Sequence, residues 1–212
     1  KKAHGEVEYW LTPIYQGKSA QGSCIRCHNE GKEVEGGDLL WKGKRLFEDL
    51  GCYGCHDTLG FGEDKRRMIG PGLRNIKNKV GAKWITAWIK DPKGFRPTTL
   101  MPDFRLTEEE AQAIAAYLWQ HADEKGIYEE MPAFDDEQLS QGDFLFEQMG
   151  CMACHTYEKD AERGFAPNLA RISEKINYGY LVEWIMNPQG KEPLTRMPGF
   201  RMSQERASLV AG

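Results

Sequence analysis

"GKRLFEDLGCYGCH" occupies residues 43–56, and its pattern returns as "GDFLFEQMGCMACH" at 142–155, 99 residues later. Each copy runs apolar residues at helical spacing into a glycine, a common helix stop. Two cysteines three positions apart then follow, with a histidine directly after the second. The cysteine–histidine pentapeptide occurs a third time within "GSCIRCH" at 22–28. All six cysteines (Cys24, Cys27, Cys52, Cys55, Cys151, Cys154) and three of the five histidines (His28, His56, His155) belong to these copies.

Three chemistries use C-x-x-C: a redox disulfide, a thiolate zinc site and covalent haem attachment. A dithiol needs no histidine at the next position. Tetrahedral zinc would consume two motifs and orphan the third. C-x-x-C-H is the attachment site of a c-type haem. Both thiols add to vinyl groups on one edge of the porphyrin, and the adjacent imidazole reaches the iron as proximal ligand. Three motifs therefore predict three covalently attached haem c groups.

Size and composition are those of an ordinary globular chain. The 212 residues are 40% hydrophobic and 28% charged, with a mean hydropathy of −0.63. That length suits about one or two domains. No apolar run approaches the roughly 20 residues that span a bilayer. The chain opens at "KKAHGEVEYW" without an initiator methionine, as expected of a mature product or a fragment. Haem attachment to this motif takes place outside the cytoplasmic membrane, so a periplasmic or extracellular location is expected. The net charge is −4, distributed as +3 over residues 1–120 and −7 over 121–212. Such an asymmetry steers docking with a partner or with another copy, or reflects an unevenly charged solvated surface. An acidic chain is a poor match for nucleic acid.

Outward from the two long copies, the likeness continues. "GPGLRNI" (70–76) pairs with "APNLARI" (166–172), "WITAWIKDP" (84–92) with "YLVEWIMNP" (180–188), and "LMPDFRLTEEE" (100–110) with "RMPGFRMSQER" (196–206), all 96 residues apart. One unit is used twice. The amphipathic segments "AKWITAWIKDP" and "YGYLVEWIMNP" are helices closed by proline. "TEEEAQAIAAYLWQ" opens with Thr107 and Glu110 in capping-box spacing and buries Ile114 and Leu118. Its counterpart "SQERASLVAG" is shorter. Nothing alternates as strand. The expectation is an all-α protein: an N-terminal segment (1–40), a first domain (41–121), an acidic linker (122–139) and a second domain (140–212).

Each unit resembles a class I cytochrome c domain, in which an N-terminal helix, C-x-x-C-H, a Gly-Pro/Asn-Leu stretch, a middle helix, a Met-Pro loop and a C-terminal helix follow in that order. The resemblance covers about 150 residues. It implies that Met101 and Met197 are the distal iron ligands and that the Pro71 and Pro167 carbonyls accept the proximal histidines' Nδ1–H. A thioether is a soft, neutral ligand that favours ferrous iron, and an acceptor behind the imidazole fixes its tautomer. Core filling is the plain alternative for a methionine. These two alone, however, stand in "MPxFR", 45 residues after His56 and 42 after His155. Arg105 and Arg201 recur with them, suited to a haem propionate or to an ordinary surface ion pair. Trp84, Trp88 and Trp184 suit a haem edge or a core.

The first motif stands apart. Only 23 residues separate His28 from Cys52, too few for a domain of its own, so the N-terminal segment is expected to hold this haem against the first unit. His4 is the favoured distal ligand. His121, Met68, Met131, a residue of another chain, or an empty position are the alternatives. A bis-histidine haem would lie lower in potential than its His/Met neighbours. The N-terminal stretch followed by two such domains also resembles larger multihaem cytochromes whose paired domains close a membrane-anchored chain serving quinol-linked respiratory complexes. His4 would then belong to a haem further upstream.

Doubly ligated haems leave no open iron site, so the expected role is electron transfer between redox donor and acceptor proteins, without catalysis. Two alternatives stand beside it. One is a multihaem peroxidase or reductase with an open first haem; the other is a self-assembling subunit of an extracellular conductive filament.

Overall fold

The computed structural model of the chain describes residues 37–58, 69–122, 131–158, 165–193 and 195–212. The first haem motif (Cys24, Cys27, His28), His4 and Met68 lie outside these residues. The described residues are helical and contain no strand, as the sequence led us to expect.

In the first unit, α1 (Asp38–Asp49) places Leu40, Trp41, Gly43 and Phe47 on one buried face. Across from it lies α5 (Glu108–His121), which starts on a reciprocal cap. The Glu110 amide donates to Thr107 Oγ1 at 3.3 Å, and the Thr107 amide donates to Glu110 Oε2 at 2.9 Å. α5 buries Ala111, Ala113, Ile114, Ala115, Tyr117 and Leu118. The two helices cross at Gly43, where a side chain would collide with the Ala113 carbonyl and come within 2.9 Å of Tyr117 Cβ. Glycine is required by this close approach, and it brings the backbones together. Between α1 and α5 run three short helices: α2 (Ile76–Lys79), α3 (Ala82–Lys90) and α4 (Pro92–Phe95). Ile76, Val80, Ile85 and Ile89 from this stretch fill the core against Phe47 and Ile114.

The second unit repeats the plan with α6 (Asp136–Gln148), α7 (Ile172–Lys175), α8 (Tyr178–Met186), α9 (Pro188–Lys191) and α10 (Gln204–Ala211). Its first helix begins at Asp136, inside the stretch the composition marked as linker, because Asp135 and Gln138 form a capping box. Gly142 takes the crossing position, where a side chain would collide with the Leu209 carbonyl. The core around Val182, Ile185, Met202 and Ala207 is smaller, in keeping with the eight residues of α10 against the fourteen of α5.

The units meet at equivalent positions. Val80 and Ile176 form an isolated antiparallel bridge. The Asn177 amide donates to the Lys79 carbonyl at 3.0 Å, while its side chain donates to the Lys77 and Asn78 carbonyls at 3.3 and 2.9 Å. A buried backbone seam of this kind satisfies polar groups that would otherwise lose water.

Candidate haem-binding sites

Each long motif is held by a fixed backbone sequence. The helix before it ends in a left-handed glycine, Gly51 at φ 67° and Gly150 at φ 69°. A residue with a Cβ is strained there. The chain then enters a short 3-10 turn, Cys52–Gly54 or Cys151–Ala153, which sets the two thiols at its ends. Cys52, Cys55, Cys151 and Cys154 are all free thiols, the second of each pair exposed. Burial pushes the Cys52 thiol up to about 11 and raises Cys151 as well.

The two histidines are oriented alike. His56 Nδ1 lies 2.8 Å from the Pro71 carbonyl oxygen, and His155 Nδ1 lies 2.8 Å from that of Pro167. A carbonyl only accepts, so Nδ1 carries the proton and Nε2 keeps its lone pair for a metal. Burial holds His56 below the usual imidazole range, opposed by the bond to Pro71. The loops carrying the prolines are pinned in turn by Gly70 N–H to the Cys55 carbonyl and Ala166 N–H to that of Cys154, both 2.9 Å.

Met101 and Met197 follow the middle helices on matching loops. Thr99 Oγ1 accepts from the Met101 amide at 3.2 Å, and Thr195 Oγ1 accepts from that of Met197 at 3.3 Å. The Trp88 indole N–H donates to Met101 Sδ and the Trp184 indole N–H to Met197 Sδ, each at 2.9 Å. Arg105 and Arg201 both take a left-handed backbone, φ 55° and 52°, in the turn beyond each methionine. That strain in two equivalent non-glycine residues marks the loop as a shaped element. His121 packs edge-on against Tyr117 at 4.3 Å, and Met131 is exposed.

Sequence reasoning named Trp88 and Trp184 as haem-edge or core residues but not as donors to the sulfurs, and it did not single out the threonine brackets, Lys79 or Lys175. Lys175 Nζ lies over Trp84 and Trp88 at 5.1 and 5.7 Å, and Lys79 Nζ over Tyr180 and Trp184 at 5.8 and 5.7 Å. Burial, then Lys79 and Arg96, push the Lys175 ammonium down to about 8. Burial lowers Lys79 too, offset in part by Glu192. The signal that finds all these residues is the 96-residue offset they share.

Other observations fit a porphyrin at these sites. The Trp84 indole N–H is buried with no acceptor among the described residues, as a donor suited to an anionic group such as a propionate would be. Ile69 and Phe165, equivalent residues just before the proline loops, are 73% and 95% exposed, and Leu100 before Met101 is 78% exposed. Apolar side chains left bare beside each motif are what a flat apolar ring would cover.

These features are those of sites suited to a covalently attached haem. Residues 41–122 match the family model for cytochrome c, and residues 5–57 match that for cytochrome c554 and c-prime. The matches support haem c bound within the residues they cover.

Particular relatives extend the comparison. The chain is 30% identical over 92 residues to a nitric oxide reductase subunit of Stutzerimonas stutzeri, covering 41% of this chain and 60% of the relative. It is 29% identical over 86 residues to the corresponding nitric oxide reductase subunit of Paracoccus denitrificans, covering 36% and 55%. It is also 32% identical over 89 residues to cytochrome c oxidase subunit 2 of Alkalihalophilus pseudofirmus (strain ATCC BAA-2126 / JCM 17055 / OF4), covering 38% and 25%. The chain thus spans a quarter to three fifths of the relatives it matches. No solved structure matches it. No helix among the described residues is long and apolar enough to cross a membrane.

Proposed function

We propose that the chain is a trihaem cytochrome that relays electrons between protein partners. The observation that carries this reading is the duplicated pairing of an oriented imidazole with a bracketed thioether: His56 on Pro71 with Met101 under Trp88, and His155 on Pro167 with Met197 under Trp184. Cys52 and Cys55 hold one haem, Cys151 and Cys154 another, and Cys24, Cys27 and His28 a third, with His4 favoured as its distal ligand. Arg105 and Arg201 are suited to the propionates.

Bound haem c supplies a one-electron ferric–ferrous couple. The protein's part would be to hold the haem through His56 and Met101 in one unit and His155 and Met197 in the other, and to fix those side chains so that little need move between redox states. His56 and His155 are fixed by carbonyl acceptors, the methionines by threonine and tryptophan. Relatives named as subunits of nitric oxide reductase and cytochrome c oxidase favour a role in delivering electrons to a larger redox complex. A periplasmic or extracellular setting follows from the attachment chemistry, and a quinol-linked complex is the partner favoured on the donor side.

Intact mass and ferric EPR test the reading together. The expected mass exceeds the polypeptide by three haems, and Met101→Ala and Met197→Ala each convert one low-spin signal to high-spin while the haem stays attached. A mass with two additions removes the trihaem assignment. An unchanged spectrum removes the substituted methionine as ligand. A high-spin, peroxide-reactive component in the unsubstituted protein would favour catalysis at the first haem.

A further inference from the structure

The two units meet at equivalent positions, and each places a lysine over the other's aromatic rings. Lys175 belongs to the second unit but lies over Trp84 and Trp88 of the first. Lys79 belongs to the first and lies over Tyr180 and Trp184 of the second. Trp88 and Trp184 are the indoles that donate to Met101 and Met197. The exchange is reciprocal at equivalent positions 96 residues apart, with the Val80–Ile176 bridge between them.

We propose that this exchange is a mutual tuning device, in which Lys175 raises the reduction potential of the haem held by the first unit and Lys79 raises that of the haem held by the second. Each lysine is a positioning residue acting through the other unit's tryptophan. The inference rests on the reading of Met101 and Met197 as iron ligands.

Two effects act with the same sign. A ferrous centre carries one positive charge fewer than a ferric one, so a desolvated ammonium nearby favours the ferrous state. A cation on the face of an indole draws ring density towards that face. The edge N–H is then a stronger donor to the thioether. A sulfur engaged in this way gives less density to iron, which again favours the ferrous state. Surface solvation does not explain the placement, because burial lowers the basicity of both lysines. The arrangement is unequal, however. The charges that act on Lys175 are Lys79 and Arg96, both cationic, whereas Glu192 faces Lys79 and offsets it. The effect on the first unit's haem is therefore the larger.

The test substitutes Lys175→Met and, separately, Lys79→Met in the haem-loaded protein, with arginine at each position as the charge-retaining control. An NMR redox titration follows the two haems individually, assigned by the ligand-methyl signals lost in Met101→Ala and Met197→Ala. Lys175→Met is expected to move the equilibrium for sharing one electron about tenfold towards the second unit, and Lys79→Met about threefold towards the first, the scale of one desolvated charge at an effective dielectric near 20. Arginine should restore both. Should a methionine variant not fold, glutamine at the same position reads the same shift. A change confined to the substituted unit's own haem, an equal change in both, or none with the methyl signals intact overturns the tuning. Methyl signals that persist in the two alanine variants overturn the ligand reading, and the inference falls with it.

Discussion

The two units differ behind the haem sites far more than within them. Within them, the histidine–proline distance is 2.8 Å twice and the tryptophan–methionine distance 2.9 Å twice. The left-handed glycines differ by two degrees in φ and the left-handed arginines by three. Behind them, the first unit packs Phe47, Ile76, Val80, Ile85 and Ile114 into one core, and the second gathers Val182, Ile185, Met202 and Ala207. Pocket geometry is thus set by short-range devices: a glycine turn, a threonine bracket and a carbonyl at fixed offset. The core supplies stability to whatever those devices build.

The helix crossing gives the comparison its hardest test. Gly43→Ala would raise the helix propensity of α1 by about 1 kcal/mol, but its Cβ falls on the Ala113 carbonyl, which belongs to a fourteen-residue helix. The net expected loss is about 3 kcal/mol, at the upper end for overpacking. Gly142→Ala meets the Leu209 carbonyl near the end of the eight-residue α10, which yields more readily, so about 1 kcal/mol is expected there. Hydrogen exchange of the α1 and α6 amides measures each unit separately. Equal losses would show that the shorter helix is held as firmly as the longer.

A smaller effect separates the histidine loops. Gly70 lies so close to the His56 ring that a Cβ would stand 2.6 Å from Nδ1 and 2.9 Å from Nε2. The second unit has Ala166 at the equivalent position, with the same backbone bond and the same 2.8 Å histidine–proline distance. The second unit shows that small adjustments can make room for a Cβ, so Gly70→Ala should shift the His56 ring at a cost of about 1 kcal/mol, and Ala166→Gly should cost under about 1 kcal/mol through backbone entropy. Protection of the Nδ1 proton against exchange reports both. A neutral Gly70→Ala would show that the ring has room the geometry denies it.

Much of this was legible in the residues, and the boundary of legibility is physical. Covalent attachment forces two thiols and an imidazole into adjacent positions, so the motif survives as spelling. The helices survive as periodicity, and the cap at Thr107–Glu110 as spacing, whereas the Asp135–Gln138 cap falls in the stretch the composition marks as linker. Asp136–Glu137 read as linker because acidic residues in a first helical turn and acidic residues in a loop look alike in sequence. The contacts of Lys175 with Trp84 and of Arg171 with Phe95 span 91 and 76 residues. No local rule connects such pairs, because they exist only once the two units have docked. Even the Trp88–Met101 bond crosses a loop whose path the sequence leaves open.

The slightest difference lies in how each unit braces the loop beyond its haem motif, and salt should expose it. In the first unit Arg74 grips Asp57 with two bonds, 2.8 and 3.0 Å, beside the Leu73 amide that donates to the Asp57 carbonyl. In the second unit Thr156 and Ala170 occupy those positions. Asn168 takes over there, its side chain donating to the Glu158 carbonyl and accepting from the Ala170 amide, both at 2.8 Å. Both members of the ion pair are about two-fifths exposed, so Asp57→Asn should cost under about 1 kcal/mol. The cost should shrink further as salt screens the pair. The neutral brace has no charge to screen, so Asn168→Ala should cost about 1 kcal/mol at any ionic strength. Exchange of the Leu73 and Leu169 amides in low and high salt reads the two side by side. If protection at Leu73 were insensitive to salt, the bidentate geometry rather than the charge would be holding that loop, and the two braces would differ in chemistry but not in kind.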